Sequence, residues 1–126
     1  MNITRYEFEC FLEELKEDSK NKVIIVEGKK DRAALQHFGI KNIIILRKPL
    51  FLIVEYVVKK EKECVILTDL DKKGKELYGK LASSLNQFGV KIDDKPREFL
   101  FKTKIRQIEG IPRHLKRLEK RLDEQL

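Results

Sequence analysis

Short apolar runs alternate along the chain with longer amphipathic stretches, and the alternation predicts a βα succession. Val23–Val26, Ile43–Leu46, Val65–Thr68 and Val90–Ile92 are compact and rich in β-branched residues. Runs of that kind suit parallel strands buried on both faces. Between them the apolar positions recur at helical spacing. A helix from Asp31 turns Ala33, Ala34, Leu35 and Phe38 inward and stops at Gly39, which can take the left-handed conformation past a helix end. Pro49 fits the first turn of a helix to about Lys60, with Leu50, Ile53, Val54 and Val57 on its buried stripe. Its β-branched content would also suit a strand, but parallel neighbours need a crossover and this segment supplies it. A helix over residues 74–88 carries Leu77, Leu81, Leu85 and Phe88 on one side before Gly89 ends it.

The two ends of the chain are helical. Thr4 and Glu7 form a capping-box pair, and Phe8, Phe11, Leu12 and Leu15 make one stripe of a helix over residues 4–19. Asp93–Pro96 is a turn. Over Arg97–Lys104, Phe99 and Phe101 alternate like an edge strand although the segment can also coil; it is taken as helix. Pro112 opens a last helix with Ile111, Leu115, Leu118 and Leu122 on one face and Arg113, Lys116, Arg117, Lys120 and Arg121 on the other, a basic face that reads either as solubilising or as a track for a nucleic-acid backbone. Tyr6, Tyr56 and Tyr78 fall in helices and read as packing residues. The expectation is a three-layer α/β/α fold, one domain over residues 1–126, with a core at 21–95 and a C-terminal helical extension at 97–126.

Composition and charge narrow the function classes. With 41% hydrophobic and 39% charged residues the chain can bury a core, and a net charge of +7 with pI near 9.4 favours a polyanionic partner. The longest apolar tract, Ile43 to Val58, is broken by Arg47, Lys48 and Glu55, so no membrane span or membrane partner is expected. Cys10 and Cys64 belong to no Cys-x-x-Cys pair and read as small buried hydrophobes in a reducing compartment. With no signal peptide in view, a cytoplasmic protein is expected, as monomer or homodimer. His37 and His114 have no ligand-spaced partner and are read as ordinary histidines.

The chemistry lies where two strands end. Val65–Thr68 runs into Asp69 and Asp71, and Val23–Val26 delivers Glu27, Gly28, Lys29, Lys30 and Asp31. If the first and third strands are neighbours their acids meet, which requires strand order 2-1-3-4 and puts the site at the topological switch point of a four-stranded parallel sheet. Glu27, Asp69 and Asp71 would then be an oxygen-ligand set for Mg²⁺ or Mn²⁺, with Asp31 as a helix cap, an outer support or a ligand to a second ion. Lys29, Lys30, Lys72 and Lys73 are placed to meet phosphates. Taken alone, Asp69-x-Asp71 could simply turn the chain and cap the next helix. Spacing excludes a phosphate-binding P-loop, since Val23 stands five before Gly28 and Asp31 follows the lysines. The missing hydroxyl after Asp71 argues against a phosphoaspartyl hydrolase, and a response-regulator receiver remains only a fold-level alternative.

Val-Glu-Gly-Lys-Lys-Asp at 26–31 with Thr-Asp-Leu-Asp-Lys-Lys-Gly at 68–74 resembles the Toprim family of topoisomerases, primases, small nucleases and 5S-ribosomal-RNA maturases. The resemblance covers roughly residues 21–95 and is closest to the small Toprim-only proteins and the maturases' catalytic domain. It implies a Toprim-like Rossmannoid fold, Glu27 as acid/base or shared metal ligand, Asp69 and Asp71 as Mg²⁺ ligands, and Gly28 and Gly74 as loop glycines. It also implies a Mg²⁺-dependent phosphodiester-processing protein, a nuclease acting on structured RNA rather than DNA. The alternative is a Toprim module that holds Mg²⁺ and nucleic acid without cutting. The chain departs from the maturases at Lys75, where they tend to carry an acid, a difference that bears on a second metal.

Overall fold

The computed structural model describes residues 2–125, without the side chain of Gln125; Met1 and Leu126, the ends of the expected domain, lie outside the described residues. The element order is α1 (Arg5–Asp18), β1 (Val23–Val26), α2 (Lys29–Gln36), β2 (Ile43–Ile45), α3 (Leu50–Lys60), β3 (Glu63–Ile66), α4 (Lys72–Gln87), β4 (Lys91–Ile92), α5 (Lys95–Phe101), a 3₁₀ turn (Ile108–Gly110) and α6 (Ile111–Gln125). The strands form one parallel sheet in the order β2-β1-β3-β4, as expected.

Alternation along the strands divides the core in two. Ile24 and Val26 of β1 with Val65 of β3 face a layer built from α1, α2, α5 and α6, which adds Phe8, Leu15, Leu35, Leu100 and Ile111. Val23, Ile25, Cys64 and Ile66 point the other way, onto Ile53 and Val57 of α3 and Leu81 and Leu85 of α4. Successive strand side chains leave opposite faces, so a sheet covered on both sides needs apolar residues at every position. All four residues of β1 are buried accordingly.

Element boundaries depart from the sequence expectation where side chains intervene. α2 begins at Lys29 rather than Asp31, because Gly28 is its N-cap and Asp31, three residues in, reaches back to the Gly28 N–H at 3.0 Å. α4 begins at Lys72, with Asp71 as N-cap. β3 pairs from Glu63, two residues earlier than expected: Glu63 lies opposite Lys91 of β4, and its carboxylate meets Lys22 Nζ at 2.9 Å. Lys22 also holds Asp93 at 2.9 Å. Residues 95–101 are helical, with Pro96 in the first turn, Leu100 buried and Phe99 stacked on Phe11 at 4.5 Å between ring centroids. α6 begins at Ile111, one residue before Pro112.

Several residues expected to pack do not. Phe88 is 61% exposed because α4 ends at Gln87 and Phe88 caps it beyond the last turn over the sheet. Tyr6 and Tyr56 point to solvent from the outer faces of α1 and α3, while Tyr78 is half-buried and donates its hydroxyl to Asp94. Ala33 is exposed, so α2 buries Ala34 and Leu35 alone beside Asp31. Cys64 is buried and Cys10 half-buried; both are free thiols. No helix is long and apolar enough to cross a membrane among the described residues.

Candidate metal and nucleic-acid site

The register of the sheet brings the acids together. Ile25 of β1 lies opposite Ile66 of β3, so each chain leaves the sheet at the same level, one with Glu27 and the other with Asp69. Glu27 Oε2 accepts the Asp69 N–H at 2.8 Å, which fixes the start of the acidic loop against the end of β1. Asp69 Oδ1 accepts the Ile108 N–H at 3.0 Å, and the Leu70 N–H donates to the Arg106 carbonyl at 2.8 Å. The acidic loop is thus gripped from β1 on one side and from the 3₁₀ segment on the other.

Gly74 explains the tightness of the loop. A Cβ on that residue would fall inside the van der Waals envelope of the Asp69 carbonyl, so only glycine lets α4 start this close to β3. The Gly74 N–H donates to Asp71 Oδ1 at 2.8 Å, and its carbonyl accepts the Thr68 hydroxyl at 2.6 Å. Gly28 is different. Its backbone is extended, a shape open to any residue, and a Cβ there would meet nothing nearer than Asp31 Oδ2 at 3.9 Å.

Glu27, Asp31 and Asp69 line a cleft of about 580 Å³ together with Lys29, Lys30 and Lys73. Burial, with Asp31, Glu27 and Asp71 nearby, pushes the Asp69 acid up from 3.8 to about 6 against the opposing pull of the Ile108 N–H. Asp31 is raised as well, by burial and then by Glu109 and Glu27, although the Gly28 N–H opposes the shift. Asp71 is exposed, its Oδ1 spent on capping α4, and it opens onto a different cleft beyond residues 107–110. Among the described residues no three His, Cys, Asp or Glu side chains converge as a metal cage. The helix-capping role weighed for Asp71 is therefore present, while its charge still acts on Asp69. Lys72 is exposed on the first turn of α4 and does not line the acidic cleft.

The donor set fits a hard divalent ion. Glu27 and Asp69 each spend one carboxylate oxygen on a backbone N–H, leaving the other for a ligand. Mg²⁺ keeps several waters and is commonly held by one or two carboxylates plus phosphate oxygens, so a closed cage is not required. The raised pKa of Asp69 marks a surplus of negative charge that such an ion offsets.

Three residues of the site carried no signal in the sequence. Glu109 and Arg47 line the acidic cleft, although Glu109 lies far downstream of the acidic motif and Arg47 follows a different strand. Arg97 is 4% exposed and donates to the Thr68 carbonyl at 2.6 Å and the Asp69 carbonyl at 3.1 Å, while its guanidinium stacks on Tyr78 at 4.7 Å. Burial lowers its pKa from the ordinary arginine value. An arginine inside an amphipathic segment gives no hint that it is buried.

Residues 22–99 match the Toprim domain family, which spans the whole sheet and both acidic loops. The chain belongs to the Toprim family. Its relatives include a UPF0292 protein of Methanocaldococcus jannaschii, 37% identical over 79% of this chain and 83% of the relative. Another, from Pyrococcus abyssi, is 39% identical over 82% of this chain and 78% of the relative. A solved structure, a putative protein from Aquifex aeolicus, superposes with a TM-score of 0.78 at 37% identity and covers 81% of this chain and 95% of that one. Membership of the Toprim family indicates a metal-dependent function related to nucleic acid.

Proposed function

We propose that this Toprim protein processes phosphodiester bonds in structured RNA with Mg²⁺ or Mn²⁺, as a nuclease. One observation carries the reading: Glu27 and Asp69, joined by the hydrogen bond from the Asp69 N–H at the ends of adjacent strands, sit in a cleft rimmed by Lys29, Lys30, Arg47 and Lys73. Asp69 and Asp71 would hold the ion, with Glu27 either sharing it or left to proton transfer; bound there, the ion would supply Lewis-acid polarisation of a phosphodiester and a lowered pKa for an attacking water. The lysines orient the phosphate, and the free Glu27 oxygen takes up or returns the proton of the attacking or leaving oxygen. Asp31 supports the Glu27 loop through the Gly28 N–H. RNA is preferred to DNA on the maturase-like motifs. The same reading takes residues 1–126 as one cytoplasmic domain with a core at 21–95.

A second reading, binding without cutting, is favoured by the capping role of Asp71 and by Lys75 in place of an acid. Incubation of the pure protein with total RNA, with Mg²⁺ or with chelator, separates them. Discrete Mg²⁺-dependent fragments, absent with Glu27→Gln, are expected; retention of intact RNA by the wild type would leave the binding module.

A further inference from the structure

Between Asp71, residues 104–110 and α6 lies a second cleft of about 380 Å³, which shares no lining residue with the acidic cleft. Its polar lining is cationic: Lys104 and Arg106 from the loop, Arg113, Arg117 and Arg121 from α6, and Asp71 alone as an acid at one end. None of these five cations is ion-paired among the described residues. Of the three acids of α6, Glu119 and Asp123 act on Arg5 of α1, and Glu124 does not line the cleft. Arg106 is aimed by its own backbone, donating to the carbonyls of Thr103 at 3.0 Å and Ile105 at 2.7 Å. The three helix arginines recur every fourth residue, which raises each above the last by about 6 Å along one face.

Like charges gathered without counter-charges repel, and the cost is offset when a polyanion lies along them. His114 reports the local field: burial first, then Arg121, Arg117 and Lys104, hold its pKa below the ordinary histidine value. Lys116 and Lys120 share the helix and its exposure but do not line the cleft. The broad basic face read from the sequence therefore divides into an arginine row beside Asp71 and a lysine pair turned away from it.

We propose that the arginine row of α6, with Lys104 and Arg106, seats the sugar-phosphate backbone of a nucleic-acid strand and leads it past Asp71 toward the acidic cleft, with Lys116 and Lys120 outside the contact. Seating the strand is independent of chemistry; only the direction of travel rests on the function proposed above.

Binding is therefore measured apart from turnover, in EDTA, by fluorescence anisotropy with a labelled RNA hairpin across a salt series. Arg113→Gln, Arg117→Gln and Arg121→Gln are combined in one variant and Lys116→Gln with Lys120→Gln in another, with thermal melts confirming that both are folded. The arginine variant should bind about 10-fold or more weaker near 0.1 M salt and flatten the slope of log affinity on log salt by about 2 to 3. The lysine variant should stay within about 3-fold with its slope unchanged. Equal losses in both variants would mean that only net charge matters and overturn the assignment, as would an unchanged slope in the arginine variant. Affinity of the arginine row for phosphatidylserine vesicles with none for RNA would overturn it too. If the wild type binds through the arginines yet never cleaves with Mg²⁺, the seat stands and the nuclease reading falls. Cleavage with an unchanged KM in the arginine variant would instead mean that the strand reaches the acids by another route, so that the nuclease reading stands and the seat falls.

Discussion

Replacing Asp69 with Asn removes one negative charge while leaving an Oδ1 to accept the Ile108 N–H. In the wild type, burial and then Asp31, Glu27 and Asp71 raise this acid from 3.8 to about 6. Its folded value exceeds its unfolded one, so between about pH 4 and 6 the folded state binds more protons and stability falls as pH rises through that window. Above it the full penalty is present. The difference converts to about 3 kcal/mol, and because the side chain is partly exposed, solvent screening reduces it to about 1 kcal/mol. In chelator at pH 7.5, Asp69→Asn should therefore be more stable by about 1 kcal/mol, a rise in Tm of about 3–5 °C for a chain of this length. At pH 4.5 the gain should fall to about a third, because the folded wild type is then protonated at Asp69 while the unfolded chain is still largely ionised there. Adding Mg²⁺ at about 100 times its Kd should stabilise the wild type by about 2.7 kcal/mol and the variant far less. Melts at both pH values, with EDTA and with Mg²⁺, supply the test. A variant less stable than wild type at pH 7.5 in chelator, or equally stabilised at both pH values, would refute the claim that crowded charge sets the energetics of this loop.

Glu27→Gln keeps an oxygen for the Asp69 N–H, so RNA binding and the Mg²⁺-induced rise in Tm should persist while cleavage is lost; calorimetric loss of Mg²⁺ binding would make Glu27 a ligand and no more. Gly74→Ala forces a methyl group against the Asp69 carbonyl and should cost about 3 kcal/mol or more, seen as a lower urea midpoint with the m-value unchanged. A near-neutral result would mean that α4 can start further from β3 than the structure places it. Arg97→Met leaves the Thr68 and Asp69 carbonyls without their donor and should cost about 1–3 kcal/mol. Amide exchange would show the loss first across residues 68–74, and uniform loosening instead would deny Arg97 its local role.

Much of the architecture was legible because it rests on local pattern. Val-Ile-Ile-Val can be buried at every position only in a sheet covered on both faces, and the demand that Glu27 meet Asp69 left one strand order, the one observed. The acids were legible for the same reason, as residues at the ends of such strands. Periodicity says which side of a helix is apolar, but not how far the sheet beneath it extends, so Phe88 and Tyr56 were read as packed although they face solvent. The use of Asp71 Oδ1 to cap α4 is one of two roles that spacing alone leaves open. The grip of Ile108 on Asp69 spans 39 positions, and no local pattern announces a contact at that separation.

Placing β1 between β2 and β3 also orders the assembly of the molecule. A chain emerging from the ribosome presents β1 with both edges bare, and its second edge is satisfied only when residues 63–66 arrive. Until then Val23–Val26 is an unpaired apolar strand of the kind that recruits other chains. The lysines and acids around it keep the nascent segment charged during that wait. Because the Glu27 contact to Asp69 closes a span of 42 residues and Asp69 then waits for Ile108, the acidic cleft is completed only once residue 108 has emerged.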